Sequence, residues 1–223
     1  ARLLPAPAAV LAPGASCSAR RYPAERFAAA AAAIARAGLP VAVTGSPAEA
    51  ELVARVVHAA GHRDVTGLPA MPIEVFTAVL ARAAVAVTNN SGPLHLADAV
   101  GTPVAVVYAG TERRSDTAPR DVPAVLLGVP VACSPCRQLT CPFDHRCVDV
   151  NPDQVATAAL AVARHRSHRE SSRTSATAQV RVETPSDEDN TGFEGRDLQR
   201  LPPQPPDHSI QEASWAQPIT PSS

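Results

Sequence analysis

The sequence predicts an α/β fold in which a doubly wound parallel sheet carries helices on both of its faces. Three observations support this prediction. Short apolar runs rich in Val and Ala alternate with longer segments of helical periodicity along most of the chain. Few polar residues interrupt the apolar runs, which is typical of strands buried on both sides. Aromatic residues make up only 3% of the 223 residues, so small aliphatic side chains must build closely packed layers.

The first half of this pattern predicts three strands and three helices in alternation. Each strand is a short apolar run, and each helix carries apolar residues that recur on one face. Gly38 and Gly61 follow the first two helices, as expected of residues that end a helix, and Pro47 stands near the start of the second. The predicted elements are strands at 8–12, 41–45 and 64–68, each followed by a helix, at 24–37, 48–60 and 72–83.

The second half continues the alternation. Gly101 ends a short helix between the fourth and fifth apolar runs, and Pro152 starts the last helix. Strands that alternate with helices in this way form a parallel sheet, so we expect a Rossmann-like domain. The predicted elements are strands at 85–89, 104–109 and 124–128, with helices at 93–100 and 152–164.

The composition changes near residue 165 and divides the chain in two. We expect residues 1–164 to form the folded domain. Residues 165–223 are rich in Ser, Thr, Pro, Gln and charges, and they cannot bury enough surface to offset the entropy of ordering, so a disordered tail is predicted. The tail is either an inert extension or carries a docking segment around Trp215. The chain opens without Met, and we expect either a fragment of a longer protein or a half-length protein whose N-terminal partner lies elsewhere.

The overall composition excludes several classes of function. The formal net charge is -1 and the pI is about 6.7, so no overall field favours nucleic acid or acidic lipid. No segment reaches the roughly 18 apolar residues that a membrane helix needs. The patterns GxGxxG, GxxxxGK[ST], GxSxG and HExxH are absent, which leaves dinucleotide, Walker-type, hydrolase and zinc-protease sites without support.

Polar residues, together with Gly and Pro, are concentrated where four of the predicted strands end. Because ligands bind at the carboxyl ends of strands in open parallel sheets, these residues should meet at one rim. The group comprises Pro13, Gly14 and Ser16; Thr44, Gly45, Ser46 and Glu49; Asn89, Asn90, Ser91, Gly92 and His95; and Gly110 and Thr111.

The stretch after the fourth strand is the most informative part of this rim. Ser91 or Asn90 is placed to cap the following helix, and Gly92 lets a ligand approach the backbone. Free N–H groups and the helix dipole favour an anion there, with His95 one turn further on. The pattern therefore predicts a phosphate or diphosphate site. The alternative is plain helix capping beside a buried, hydrogen-bonded histidine.

Four cysteines lie close together in the loop at 133–147. Cys133, Cys136, Cys141 and Cys147 follow the pattern C-x2-C-x4-C-x5-C, and His145 could replace one ligand. The first pair has the spacing of a structural zinc site. The alternative is a set of reduced thiols or disulfides that pack the loop.

Several ordered motifs resemble one enzyme family. PGASCSARRYP, VTGSPAEAELV, TNNSGPLHLADAVGTPVAVVYAGT and CSPCRQLTCPFDHRCVDV are similar to glycosyltransferase family 9, the ADP-heptose:lipopolysaccharide heptosyltransferases and their relatives. The similarity spans residues 8–163 and corresponds to the C-terminal half of the family only. That family has the GT-B fold, in which the C-terminal domain binds a nucleotide-sugar donor and the N-terminal domain supplies the acceptor site and the general base.

The resemblance assigns roles to individual residues. Arg20 stands where the family usually has a Lys that touches the donor diphosphate, and Glu49 matches a Glu that contacts the ribose. Ser91, Gly92 and His95 match the phosphate-binding run, in which Asn90 replaces a frequent Asp. Tyr22 and Cys17 replace aromatic residues common in the family, which would loosen the nucleotide pocket. The catalytic base is expected in the missing N-terminal half.

The resemblance also implies a reaction. It is an inverting, metal-independent transfer of a sugar such as a heptose from a nucleotide-diphosphate donor to a saccharide or glycolipid acceptor. The location would be cytoplasmic, next to the inner face of a membrane, in lipopolysaccharide core biosynthesis, and no cofactor is required. A non-catalytic nucleotide-binding or interaction module is the main alternative, and a sugar epimerase is a third.

Overall fold

The computed structural model describes residues 7–177 of the chain, with side-chain surroundings for residues 7–165. The described residues form one six-stranded sheet in the order β3-β2-β1-β4-β5-β6. All neighbouring strands are parallel. The strands are β1 (Ala9–Ala12), β2 (Val41–Val43), β3 (Val65–Gly67), β4 (Val85–Asn89), β5 (Val104–Val107) and β6 (Ala124–Leu127).

Helices connect the strands, and three short 3-10 turns lie in the loops. The turns are Ser18–Arg20, Pro47–Glu49 and Arg146–Val148. Every predicted strand and helix is present, and among the α-helices and strands of residues 7–177 only the four-residue α5, too short to show a period, was missed. The helices are α1 (Ala24–Arg36), α2 (Ala50–Ala60), α3 (Ile73–Arg82), α4 (Gly92–Ala99), α5 (Arg114–Thr117) and α6 (Pro152–Thr177).

The sheet is doubly wound, as the sequence predicts. Successive strand residues point to opposite faces, so Leu11 packs with α1, α2 and α6, while its neighbour Val10 packs with α3 and α4. Two hydrophobic layers result, one on each side of the sheet. The α/β, Rossmann-like fold class is therefore confirmed.

Two glycines end helices in the way that the sequence predicts. Gly61 follows α2 with φ 56, and Gly38 lies beyond the end of α1 with φ 89. Residues with a Cβ rarely adopt this left-handed conformation, so glycine is the favoured residue at both positions.

The last helix is longer than predicted. It was expected to end near 164, but α6 continues to Thr177. The sequence from 165 to 177 contains no Gly or Pro, so nothing in the backbone chemistry ends the helix there. The expected disordered tail is thus helical at its start, and residues 178–223, including Trp215, lie outside the described residues. Among the described residues, no helix combines the length and apolarity needed to cross a membrane.

Phe27 lies in α1 and packs this helix into the hydrophobic layer on its face of the sheet. Its ring is fully buried and meets Tyr22 edge-on, with ring centroids 5.0 Å apart. Phe27→Ala should lower the free energy of unfolding by about 3–5 kcal/mol, because it removes apolar contacts and leaves a cavity. Urea unfolding of the full chain measures the change.

The matched control is Phe143→Ala, because Phe143 is 65% exposed. This substitution should change the free energy of unfolding by no more than about 0.5 kcal/mol. Similar losses in the two variants would contradict the assigned core.

Candidate functional site

A cavity of about 420 Å³ opens at the carboxyl ends of β1, β2 and β4. β1 and β4 are neighbours at the centre of the sheet, but their following helices, α1 and α4, cover opposite faces. A crevice forms where the connections diverge, and this is where open α/β sheets bind ligands. The cavity therefore opens at the edge of the sheet where the strand-end residues are predicted to meet.

Asn89 holds the two sides of this crevice together. Its fully buried amide donates from Nδ2 to the carbonyls of Pro13 at 2.9 Å and Gly14 at 3.1 Å. Its Oδ1 accepts a hydrogen bond from the backbone N–H of Tyr22 at 2.9 Å. The loop between β1 and α1 is thereby fixed to the end of β4. Sequence reasoning counted Asn89 among the rim residues but gave it no role; an amide ending a buried apolar strand was the available signal.

Asn90 has a structural role different from the one predicted. Its Oδ1 accepts a hydrogen bond from the N–H of Ala109 at 3.1 Å, which joins the ends of β4 and β5. The side chain therefore does not cap α4, because its oxygen is bonded to the N–H of Ala109, just beyond β5. Its Nδ2 is buried without a partner among the described residues, and Asn90 does not line the cavity.

Ser91 occupies the N-cap position of α4, but its side chain makes no capping hydrogen bond. The prediction that this hydroxyl caps the helix is wrong, because Oγ lies 3.4 Å from the carbonyl of Gly14, which accepts its proton. Pro93 has no N–H and Leu94 N donates to Ser91 O at 3.0 Å, so the N–H of Gly92 is the one left without a side-chain acceptor in this first turn. At Gly92, an added Cβ would meet open space. The amino end of α4 is consequently accessible from the cavity, which both residues line.

Glu49 enters the cavity from the loop after β2. Its Oε2 accepts two hydrogen bonds from Ser46, from N and from Oγ, both at 2.9 Å. A Cβ on Gly14 would lie only 1.9 Å from Oε1, so this arrangement requires glycine at position 14. The carboxylate therefore packs against the loop that follows β1.

Arg20 lies beside the cavity and not in its wall. Its Nη2 forms an ion pair with Glu112, and Nη1 is 3.5 Å from Oγ of Ser16. Ser16 lines the cavity and therefore lies between this guanidinium nitrogen and the cavity. The Nε atom is buried and has no partner among the described residues.

His95 is one turn into α4, as predicted, but its side chain is exposed and lies outside the cavity wall. The alternative of a buried, hydrogen-bonded histidine is wrong, because the side chain is exposed. Of the six predicted donor residues, the cavity brings together Glu49, Ser91 and Gly92. Apolar side chains that sequence reasoning missed complete its far wall: Met71, Ile73, Phe76 and Leu96.

The two residues expected to loosen the pocket lie elsewhere. Tyr22 and Cys17 are buried and do not line the cavity. Burial raises the pKa of Tyr22 to about 12, so its hydroxyl stays protonated and donates to the carbonyl of Val150 at 2.6 Å. Tyr22 thus contributes to the core below the site.

The cysteine-rich loop crosses the edge of the sheet. Leu139 O accepts a hydrogen bond from Ala19 N at 3.1 Å, and Cys136 N donates to Gly110 O at 2.9 Å. All five cysteines of the described part are free thiols, so a disulfide is not present. Burial raises the pKa of Cys147.

The same thiols do not form a metal site as they stand. No three His, Cys, Asp or Glu side chains within the described residues are arranged to hold a metal ion. A four-cysteine zinc site needs its ligands around one point, so the described arrangement does not fit zinc. The structural zinc stays a prediction without support from the geometry.

The contact between Gly14 and Glu49 can be tested by a double-mutant cycle. Gly14→Ala should lower the free energy of unfolding by about 1 kcal/mol, because the new methyl displaces the flexible carboxylate from its two hydrogen bonds with Ser46. In a Glu49→Ala background the same change should cost little, since the three nearest atoms all belong to Glu49. Urea unfolding of the four proteins measures the coupling.

Gly92→Ala is the control for this cycle, because a Cβ at position 92 meets nothing within 4 Å. A destabilisation by Gly14→Ala that persists without Glu49 would contradict the assigned contact.

Comparison with known proteins places this geometry in a family. Lipooligosaccharide heptosyltransferase 2 of Campylobacter jejuni is 32% identical over 71 residues, 31% of this chain and 22% of that protein. The structure of ADP-heptose lps heptosyltransferase II of E. coli aligns with a TM-score of 0.62 at 20% identity, covering 72% of this chain and 47% of that one. An E. coli heptosyltransferase solved with ADP-2-deoxy-2-fluoro heptose has a TM-score of 0.53 at 22% identity, over 69% of this chain and 44% of that one.

The chain spans about half the length of these solved structures, which are GT-B heptosyltransferases. The family model described as glycosyltransferase family 9 (heptosyltransferase) matches residues 2–146, most of the described domain and well over half of the chain. The doubly wound sheet and the cavity at its central strand ends are consistent with this match. The chain therefore belongs to glycosyltransferase family 9.

Proposed function

We propose that this chain is the donor-binding half of a glycosyltransferase and holds a nucleoside diphosphate sugar in the cavity at β1 and β4. The observation that carries the proposal is the accessible amino end of α4, which faces a carboxylate and an apolar wall across one cavity. A volume of about 420 Å³ falls within the range of small-molecule sites.

The nucleoside would occupy the side of the cavity formed by α3 and Glu49. Phe76, Met71 and Ile73 offer an apolar surface for the base. Oε2 of Glu49 is held by Ser46, so Oε1 is the oxygen available to accept hydrogen bonds from ribose hydroxyls. This agrees with the role that family resemblance gives Glu49.

The diphosphate would lie at the start of α4. The N–H of Gly92 and the helix dipole favour an anion there, and Gly92 places no side chain in its way. Arg20 could reach the same phosphates past Ser16 by leaving Glu112, and its planar guanidinium suits two phosphate oxygens. His95 would have to turn inward from its exposed position to contribute.

These groups would stabilise the charge that develops on the leaving diphosphate as the glycosidic bond breaks. The proposal is an inverting, metal-independent reaction, with the general base on the N-terminal domain of the complete enzyme. The acceptor is a saccharide or glycolipid presented at the cytoplasmic face of a membrane. A heptose carried on ADP is supported by the solved relative with an ADP-heptose analogue.

A non-catalytic nucleotide-binding or interaction module is the second candidate. The pairing of Arg20 with Glu112 favours it, because the cation assigned to the diphosphate is already neutralised. Both candidates require a nucleotide in the cavity, and they differ in whether sugar is transferred when the complementary domain is present.

Gly92→Asp should weaken ADP binding at least about tenfold, because it places a carboxylate where phosphate would bind. The fold should be retained, since a negative charge at the start of a helix is favourable. Titration calorimetry of the full chain with ADP, GDP, UDP and dTDP, repeated with ADP-sugar, measures the effect.

Gly92→Ala is the control, and it should bind ADP as the unmodified chain does, because position 92 faces open space. Ser91→Ala and His95→Ala show whether either side chain contributes. Unchanged ADP affinity in Gly92→Asp would remove the phosphate from this helix end.

The purified full chain should bind an ADP-sugar and yet transfer none of it to a glycolipid acceptor, because the general base is expected on another domain. Release of ADP with formation of glycosylated acceptor is the measurement. Any measurable transfer by this chain alone would contradict the assignment of the general base to another domain.

A further inference from the structure

We propose a second oxyanion site in a cavity of about 380 Å³ lined by Arg20, Thr111, Arg113 and Arg137. Its ligand is a phosphate or carboxylate group on the sugar acceptor. The acceptor assignment rests on the proposed function, whereas the oxyanion chemistry rests on the cavity itself.

Three loops build this cavity and are fastened to one another. Arg137 N donates to Thr111 O at 3.0 Å, which joins the cysteine-rich loop to the loop after β5. Ala19 N donates to Leu139 O at 3.1 Å, which joins the same loop to the turn that carries Arg20. His145 Nε2 lies 2.7 Å from Ala19 O and adds a further contact. The cavity is therefore a formed feature of the fold, and the cysteine-rich loop supplies one of its walls.

Thr111 provides an unused hydrogen-bond donor. It is only 2% exposed, and its Oγ1 is buried without a partner among the described residues. Nε of Arg20 is buried and unpaired as well. Leaving such groups unsatisfied costs free energy, so a ligand that accepts hydrogen bonds from them would bind favourably.

The charges in the cavity favour an anion. Three Arg face two carboxylates, and one carboxylate, Glu112, is already paired with Arg20. Asp116 accepts a hydrogen bond from Ser115 at 3.0 Å. Neither Arg113 nor Arg137 has an ion-pair partner among the described residues, so both guanidinium groups are available to an oxyanion.

The position next to Arg20 points to the acceptor and not to the donor. This cavity shares no lining residue with the nucleotide cavity within the described part of the chain. Arg20 lies between them, with Nη1 toward Ser16 and Nη2 on Glu112. In an inverting transfer the acceptor hydroxyl attacks the reacting carbon from the face opposite the diphosphate, so the acceptor must lie against the sugar that the diphosphate carries. An anionic group of the acceptor held across Arg20 would keep the two substrates adjacent.

Calorimetric titration of the full chain with glucose 6-phosphate, glucose and ADP tests this site. Glucose 6-phosphate should bind and neutral glucose should not, because the phosphate is the recognised group. Thr111→Val and Arg137→Gln should each weaken glucose 6-phosphate binding about tenfold, through loss of a hydrogen bond to a charged group. ADP affinity should stay within about twofold in both variants. Thr111→Val is nearly isosteric and removes a hydroxyl that has no partner, so the fold should be kept.

Arg120→Gln is the matched control, because Arg120 is an exposed Arg outside this cavity. Failure of glucose 6-phosphate to bind, or equal affinity in all variants, would overturn the site. Equal weakening of ADP and glucose 6-phosphate would also overturn it, since the cavity would then belong to the donor. Loss of glucose 6-phosphate binding in the variants of a chain that never binds ADP would support the oxyanion site and refute the proposed function.

Discussion

The side-chain amide of Asn89 is the constraint on which the site depends. Buried at the end of β4, it satisfies two backbone carbonyls and one backbone N–H of the loop between β1 and α1. Any of these groups left unpaired in the interior would be costly, so the loop must follow the geometry of the amide. The path of that loop then determines where Gly14, Ser16 and Arg20 lie.

The remaining parts of the site follow from this loop. The carbonyl of Gly14 accepts a hydrogen bond from the hydroxyl of Ser91, which draws that hydroxyl away from the end of α4 and leaves the N–H of Gly92 without a side-chain acceptor. The missing side chain of Gly14 makes room for the carboxylate of Glu49. An accessible helix start and a formed cavity thus both depend on contacts with the backbone of this loop.

Much of the fold and part of the site were predictable from local chemistry. Apolar periodicity located the strands and the long helices of the described residues, because burial on one or two faces determines which positions along the chain are apolar. The rule that ligands bind at strand ends correctly grouped Glu49, Ser91 and Gly92. The capping roles of Asn90 and Ser91 were wrong, because the partners that compete for those side chains, Ala109 N and Gly14 O, are distant in sequence.

By itself, the sequence determined the α/β class, the order of the elements and the edge of the sheet at which the cavity opens, since these follow from spacing along the chain. Only the tertiary structure decided which side chains face the cavity. Arg20 turns to Glu112, His95 points outward, and the four clustered cysteines do not converge on one point. Side-chain direction depends on contacts between loops far apart in sequence, and the spacing of residues contains no record of them.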